Sequence, residues 1–182
     1  LSKVSLEQAV KPLKIAFSTV SPIGGKVSES AIKATKKAAR ALENLGHHVH
    51  EISDQPLNGI EAMQSYYIMN SVETAAMFDG IEGTLGRSMR LEDMELMTWA
   101  IFQSGQKIPA KVYSKILAQW DLYSHQMAVF HEAYDILLTP TVADVAPKHG
   151  QFALSERLQN QLKHMADFDW PKQQELIWDM FE

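Results

Sequence analysis

The stretch Tyr134-Asp135-Ile136-Leu137-Leu138-Thr139-Pro140-Thr141-Val142 decides the fold of this chain of 182 residues. Before it, Tyr113, Ile116, Trp120, Tyr123, Met127, Phe130 and Tyr134 recur at three- and four-residue steps. That is the period of one helix face. At Asp135 the period is lost, and Ile136-Leu137-Leu138 is the short apolar run of a buried strand. Pro140 stops it, because proline brings no amide hydrogen to a ladder, and Thr139 before it is held extended. Asp135 to Thr141 is therefore predicted as a buried strand that follows a long helix opened by Pro109.

A strand needs partners, and the first third of the chain offers two. Leu13 to Thr19 alternates apolar and polar residues at its start and reads as a strand. Ser21-Pro22-Ile23-Gly24-Gly25 is a loop. A helix follows from Ser28, a cap residue, to Leu45, with Ile32, Thr35, Ala39, Leu42 and Leu45 on one face and Gly46 as its stop. His48 to Ile52 is a second strand. Strand, helix and strand in this order predict a parallel pair with a right-handed crossover.

Gln55-Pro56-Leu57-Asn58-Gly59 breaks the chain, and a helix is predicted from Ile60 to Phe78. Asp79-Gly80 and Gly83 to Gly86 read as a mobile loop, and Leu91 to Gln103 as another helix. Beyond Pro147, Leu154 to Phe168 and Pro171 to Phe181 are predicted as two more helices. The fold class is α/β and helix-rich, with a small, largely parallel sheet flanked by helices. The whole chain, 1–182, reads as a single domain. Its start at Leu1, without methionine, reads as a piece of a longer chain.

The totals exclude several functions. A formal net charge of -5 and the absence of a basic, aromatic-laced stripe argue against a nucleic-acid partner. There is no cysteine, so disulfides, zinc thiolates and cysteine nucleophiles are excluded and a cytoplasmic location is expected. No apolar run reaches the ~20 residues of a membrane span. Leu1 to Lys14 is mixed and charged, unlike a secretory signal.

The reactive-looking motifs have plain readings. Gly24-Gly25-Lys26 between strand and helix matches neither phosphate-loop spacing. Ser30-Ala31-Ile32-Lys33 has the Ser-x-x-Lys pattern of acyl-transfer enzymes but opens an amphipathic helix, where both residues are routine. His47-His48-Val49-His50 reads as a solvated strand edge, because no carboxylate is spaced to complete a metal site. Asp167 and Asp169 read as caps for the helix at Pro171. No G-x-S-x-G elbow accompanies the seven histidines.

Two blocks in fixed order resemble a known family. Leu13-Lys14-Ile15-Ala16-Phe17, then Ser21-Pro22-Ile23-Gly24-Gly25 and Ala41-Leu42-Glu43-Asn44-Leu45-Gly46-His47-His48-Val49, resemble the middle of amidase signature enzymes. Tyr134 to Thr141 resembles their downstream strand. Glu175 to Glu182 resembles the approach to their final block, as in bacterial amidases of the 6-aminohexanoate-cyclic-dimer hydrolase kind. The resemblance implies hydrolysis of a carboxamide by a serine nucleophile, a second serine in a cis peptide and a lysine, with no cofactor and no metal. The Ser-Ser-Gly-Gly run that carries the nucleophile is not in the sequence, so no catalytic residue is assigned and the chain alone is expected to be inactive. The substrate expected for the parent is a small amide. Tyr67, Asn70 and Thr98, polar residues on otherwise apolar helices, are the substrate-binding candidates. Trimmed sheet edges predict a homo-oligomer. Two alternatives are a free-standing α/β binding module and part of the A subunit of a tRNA-dependent amidotransferase.

Overall fold

The computed structural model describes residues 11–180. These gather into two compact units, one made of the described residues up to Ile60 with Tyr123–Pro147, the other of Glu61–Leu122 with the described residues from Lys148 onward.

The first unit is built on a three-stranded sheet. Strand β1 (Lys14–Phe17) lies in the centre, β2 (His48–Glu51) on one side and β3 (Ile136–Leu138) on the other, all parallel. Ile15 and Ala16 of β1 are fully buried. Helix α1 (Glu29–Asn44) makes the crossover from β1 to β2 and buries Thr35 and Ala39. Its ends follow local chemistry. Ser28 caps it, with the Ala31 amide donating to Ser28 Oγ at 3.3 Å. Gly46, at φ 90°, lets its own amide reach Glu43 O and that of His47 reach Leu42 O.

Strand β3 departs from expectation. It has three residues rather than seven, and Ile136 is 40% exposed. Pairing stops early because Thr139-Pro140-Thr141 leaves the ladder as a loop. What sets its register is Asp135: its amide donates to Lys14 O at 2.8 Å, and its carboxylate accepts from the Lys14 amide at 2.7 Å. Leu45, expected on the buried face of α1, is 74% exposed, since it sits at the cap where the chain turns away.

Helix α2 (Gly59–Leu85), part of the second unit from Glu61 onward, runs past the predicted stop at Phe78. Gly80 and Gly83 are helical, where each costs only about 1 kcal/mol against alanine. Buried Phe78 and the bond from Gln106 Nε2 to Asp79 Oδ1 (3.0 Å) hold the helix there. Gly86, at φ 66°, ends it. The helix predicted from Leu91 instead forms a 3₁₀ turn (Leu91–Asp93) followed by α3 (Leu96–Gly105). The break is held by Asp93, which accepts two bonds from Arg87 (2.7 and 2.9 Å) and one from the Arg90 amide (2.9 Å).

Helix α3 carries a cluster on each side. Ala100 packs with Leu158, Leu162, Met165, Leu176 and Ile177. Phe102 packs with Ala75 and Phe78. Residues 100 and 102 lie about 200° apart around a helix, which explains the two faces. Helix α4 (Ala110–Ala133) begins after Pro109 as predicted, and its start, up to Leu122, belongs to this unit. The predicted helix over 154–168 divides into α5 (Glu156–Lys163) and a 3₁₀ turn (Met165–Asp167). Helix α6 (Trp170–Asp179) is capped by Asp169, which accepts from the Lys172 amide at 3.1 Å. Asp167 lies in the turn and makes no such cap; Phe181, the predicted end of this helix, lies outside the described residues.

Candidate functional site

The order β2-β1-β3 places a crevice in the first unit. From β1 the chain crosses to β2 on one side, while β3 joins on the other, so the direction of winding reverses between β1 and β3. Ligands of open α/β sheets bind outside the carboxyl ends of the strands at such a point. There the loops Val20–Ile23 and Thr139–Ala143 face each other across a cleft of about 280 Å³, with Gln55 on its wall.

Three features fix these walls. Ser18, fully buried at the end of β1, donates its amide to Leu138 O at 3.0 Å, so the two loops leave the sheet side by side. The Ser28 amide donates to Ala143 O at 2.8 Å and ties the second loop to the start of α1. Gly59 is buried against Pro22, and a Cβ there would lie 2.4 Å from Pro22 O. Only glycine permits this approach.

Gln55 spans the gap left after β1. Its Nε2 donates to Ser18 Oγ at 2.8 Å and to Val20 O at 3.1 Å. The Val20 amide also donates to Ser18 Oγ, at 3.2 Å. From sequence, Gln55 was only the start of a chain break, and its partner is 37 residues away. A second, larger cleft of about 470 Å³ lies behind the same loop, between Leu138–Val142 and Ala31, Ala34 and Ala38 of α1. Ser30 and Asp144 border it, but the Asp144 carboxylate accepts from the Val145 amide at 2.8 Å. The smaller cleft, at the switch point and with an oriented amide, is the better ligand site.

Tyr67, Asn70 and Thr98 lie in the second unit, each half-buried, and none lines either cleft. Tyr67 is edge-on to Trp178, ring centres 5.8 Å apart, on the Ala100 side of α3. Burial, and then neighbouring Tyr66, push its phenol pKa up. Asn70 follows on the same helix. Thr98 stands about 200° around α3 from Ala100, so the structure groups it with Phe102 rather than with Tyr67.

Among the described residues no three His, Asp or Glu side chains converge to hold a metal. His47 is engaged locally, Nδ1 accepting from the Leu13 amide at 3.2 Å, and His50 lies against Tyr134. No described helix is long and apolar enough to cross a membrane. The geometry offers a shaped cleft with hydrogen-bonding groups, suited to holding a ligand.

The Amidase family model matches residues 2–173, and the chain is a member of that family. It is 30% identical over 167 residues to a lipoamidase of Enterococcus faecalis, covering 92% of this chain and 23% of that protein. It is 22% identical over 156 residues to a 6-aminohexanoate-cyclic-dimer hydrolase of a Pseudomonas species, covering 85% of this chain and 32% of that one. The chain thus spans about a quarter to a third of these curated relatives. The structure of 6-aminohexanoate cyclic dimer hydrolase complexed with substrate superposes on 97% of the chain and 37% of its own length, with a TM-score of 0.75 at 19% identity. That agreement shows the fold, including the small parallel sheet.

Proposed function

We propose that these 182 residues are the scaffold part of a single amidase domain that hydrolyses a small, non-peptide carboxamide. The reaction uses a serine nucleophile, with a second serine and a lysine, all supplied by sequence outside these residues. The described loops at the ends of β1 and β3 wall the substrate cleft, and the 182 residues alone carry no amidase activity. One observation carries this reading: the family match runs over residues 2–173, yet no Ser-Ser-Gly-Gly run occurs anywhere in the sequence. Supporting it, the names of both curated relatives are those of amide-cleaving enzymes.

The test is amine release from a panel of aliphatic amides, measured with the 182-residue chain and with a polypeptide in which an amidase nucleophile segment precedes it. Hydrolysis by the longer polypeptide alone is expected. Turnover by the 182-residue chain would place the nucleophile inside it and overturn the proposal, and turnover by neither would overturn it as well.

A further inference from the structure

We propose that Gln55 reads the N–H of the bound amide, so that the cleft prefers secondary aliphatic amides over tertiary amides and esters of the same shape. The choice of ligand class rests on the amidase reading above.

The orientation of the Gln55 side chain follows from its partners. The two hydrogens on Nε2 go to Ser18 Oγ and Val20 O. Val20 O is an acceptor only, so turning the amide over would set two carbonyl oxygens against each other. Ser18 is fully buried and its Oγ is also held by the Val20 amide, so the anchor does not follow a turning side chain. Gln55 lines the cleft, and with both Nε2 hydrogens engaged its Oε1 is the side-chain acceptor left to meet a ligand there.

The surroundings make that acceptor selective. The wall is mostly apolar, from Val20, Pro22, Ile23, Val27, Pro140 and Val142. An amide acceptor in such a wall favours a ligand that brings a donor and disfavours one that covers it without donating. A secondary amide brings one N–H flanked by two carbon chains that fit the apolar surface. A tertiary amide brings a methyl group to the same point, and an ester brings a lone pair. At about 280 Å³ the cleft is below the ~300–1,000 Å³ of pockets for drug-sized ligands, which points to a short chain.

The experiment compares three probes: N-methylhexanamide, N,N-dimethylhexanamide and methyl hexanoate. Each is titrated into the 15N-labelled chain, and Kd is read from the amide shifts of Val20, Ile23, Thr141 and Ala143. The secondary amide is expected to bind about five- to tenfold more tightly than the other two, the range of one partly solvated hydrogen bond. Gln55→Met keeps the length and removes the acceptor, and brings the ratio to about one. It also removes the tie to Ser18, but that loss weakens all three probes alike and leaves the ratio unmoved. Ser18→Ala loosens the same tie, but Val20 O still accepts from Nε2 and holds the amide orientation, so the preference is kept. A wild-type ratio near one, a preference that survives Gln55→Met, or probes that leave the cleft amides unshifted would each overturn the proposal. None of these readouts needs bond cleavage, so failure of the amidase reading shows separately, as absent amine release from the longer polypeptide.

Discussion

Gly105→Ala tests how α2 and α3 are held together. A Cβ at Gly105 would sit 1.9 Å from Ser71 O, 2.5 Å from Ser71 C and 2.8 Å from the Ala75 Cβ. Ordinary contact starts at 3.4 Å, so the backbones must separate by about 1.5 Å. Neither side yields easily. Ser71 is fully buried and its hydroxyl is bonded to Tyr67 O at 2.8 Å. On the other helix, Phe102 and Ser104 are buried on either side of the crossing. Alanine is the better helix former by up to about 1 kcal/mol, and on propensity alone the change would stabilise. Overpacking a close crossing costs roughly 1–3 kcal/mol and sometimes more, and a backbone atom at 1.9 Å belongs at the upper end. The net expectation is a loss of about 2 kcal/mol.

Tryptophan fluorescence reads this directly, because Trp99, Trp120, Trp170 and Trp178 all lie in the second unit. With a urea slope of about 2 kcal/mol/M, the midpoint should fall by about 1 M. A midpoint equal to or above that of the parent chain would show that propensity outweighs packing at this crossing and would refute the reasoning.

Other predictions follow from local electrostatics and capping. The fork from Arg87, and then the Arg90 amide, hold the Asp93 carboxyl at about 2 against an ordinary 3.8. Because this pKa is lowered on folding, its contribution to stability is present above pH 3.8 and is lost as pH falls through about 2. A 13C titration of the Asp93 carboxyl should find that midpoint, and Arg87→Ala should return it to the ordinary range; an unmoved midpoint would remove the ion pair as the cause. Asp169→Ala takes away the cap of α6, whose Gln173, Leu176 and Ile177 are fully buried, and should cost about 1 kcal/mol of stability in the same urea assay. Asp169→Asn, which keeps an acceptor, should cost much less.

The parts of the fold legible in the sequence are those set by neighbours along the chain. Ser28 and Gly46 announced the ends of α1 because cap chemistry acts within four residues. Pro109 announced the start of α4 for a similar reason. The run Ile136-Leu137-Leu138 announced β3 but not its length, which is set where Thr139-Pro140-Thr141 leaves the ladder. Gly80 and Gly83 suggested a loop, and distant packing on Phe78 overrode them. The cleft was least legible. Its polar residue, Gln55, gains its meaning from Ser18 and Val20, and no local pattern marks a hydrogen bond across 37 positions.

The same distinction explains why the helical candidates and the cleft diverge. Tyr67, Asn70 and Thr98 stood out as polar residues in apolar surroundings, and that contrast marks buried positions in general, catalytic or not. Tyr67 meets it with an aromatic neighbour inside a core cluster. The cleft residues show no such contrast, because loops are expected to be polar. What singles them out is topology. A parallel strand on each side of β1, reached in opposite directions, opens a crevice wherever the loops at the carboxyl ends part. Asp135 fixes β3 beside β1, and Ser18 fixes the point at which the loops diverge. The chain therefore contributes a pre-formed wall whose shape depends on main-chain geometry more than on any reactive side chain. The match of 30% identity over 92% of the chain to a lipoamidase includes this wall, while no Ser-Ser-Gly-Gly run occurs in the sequence.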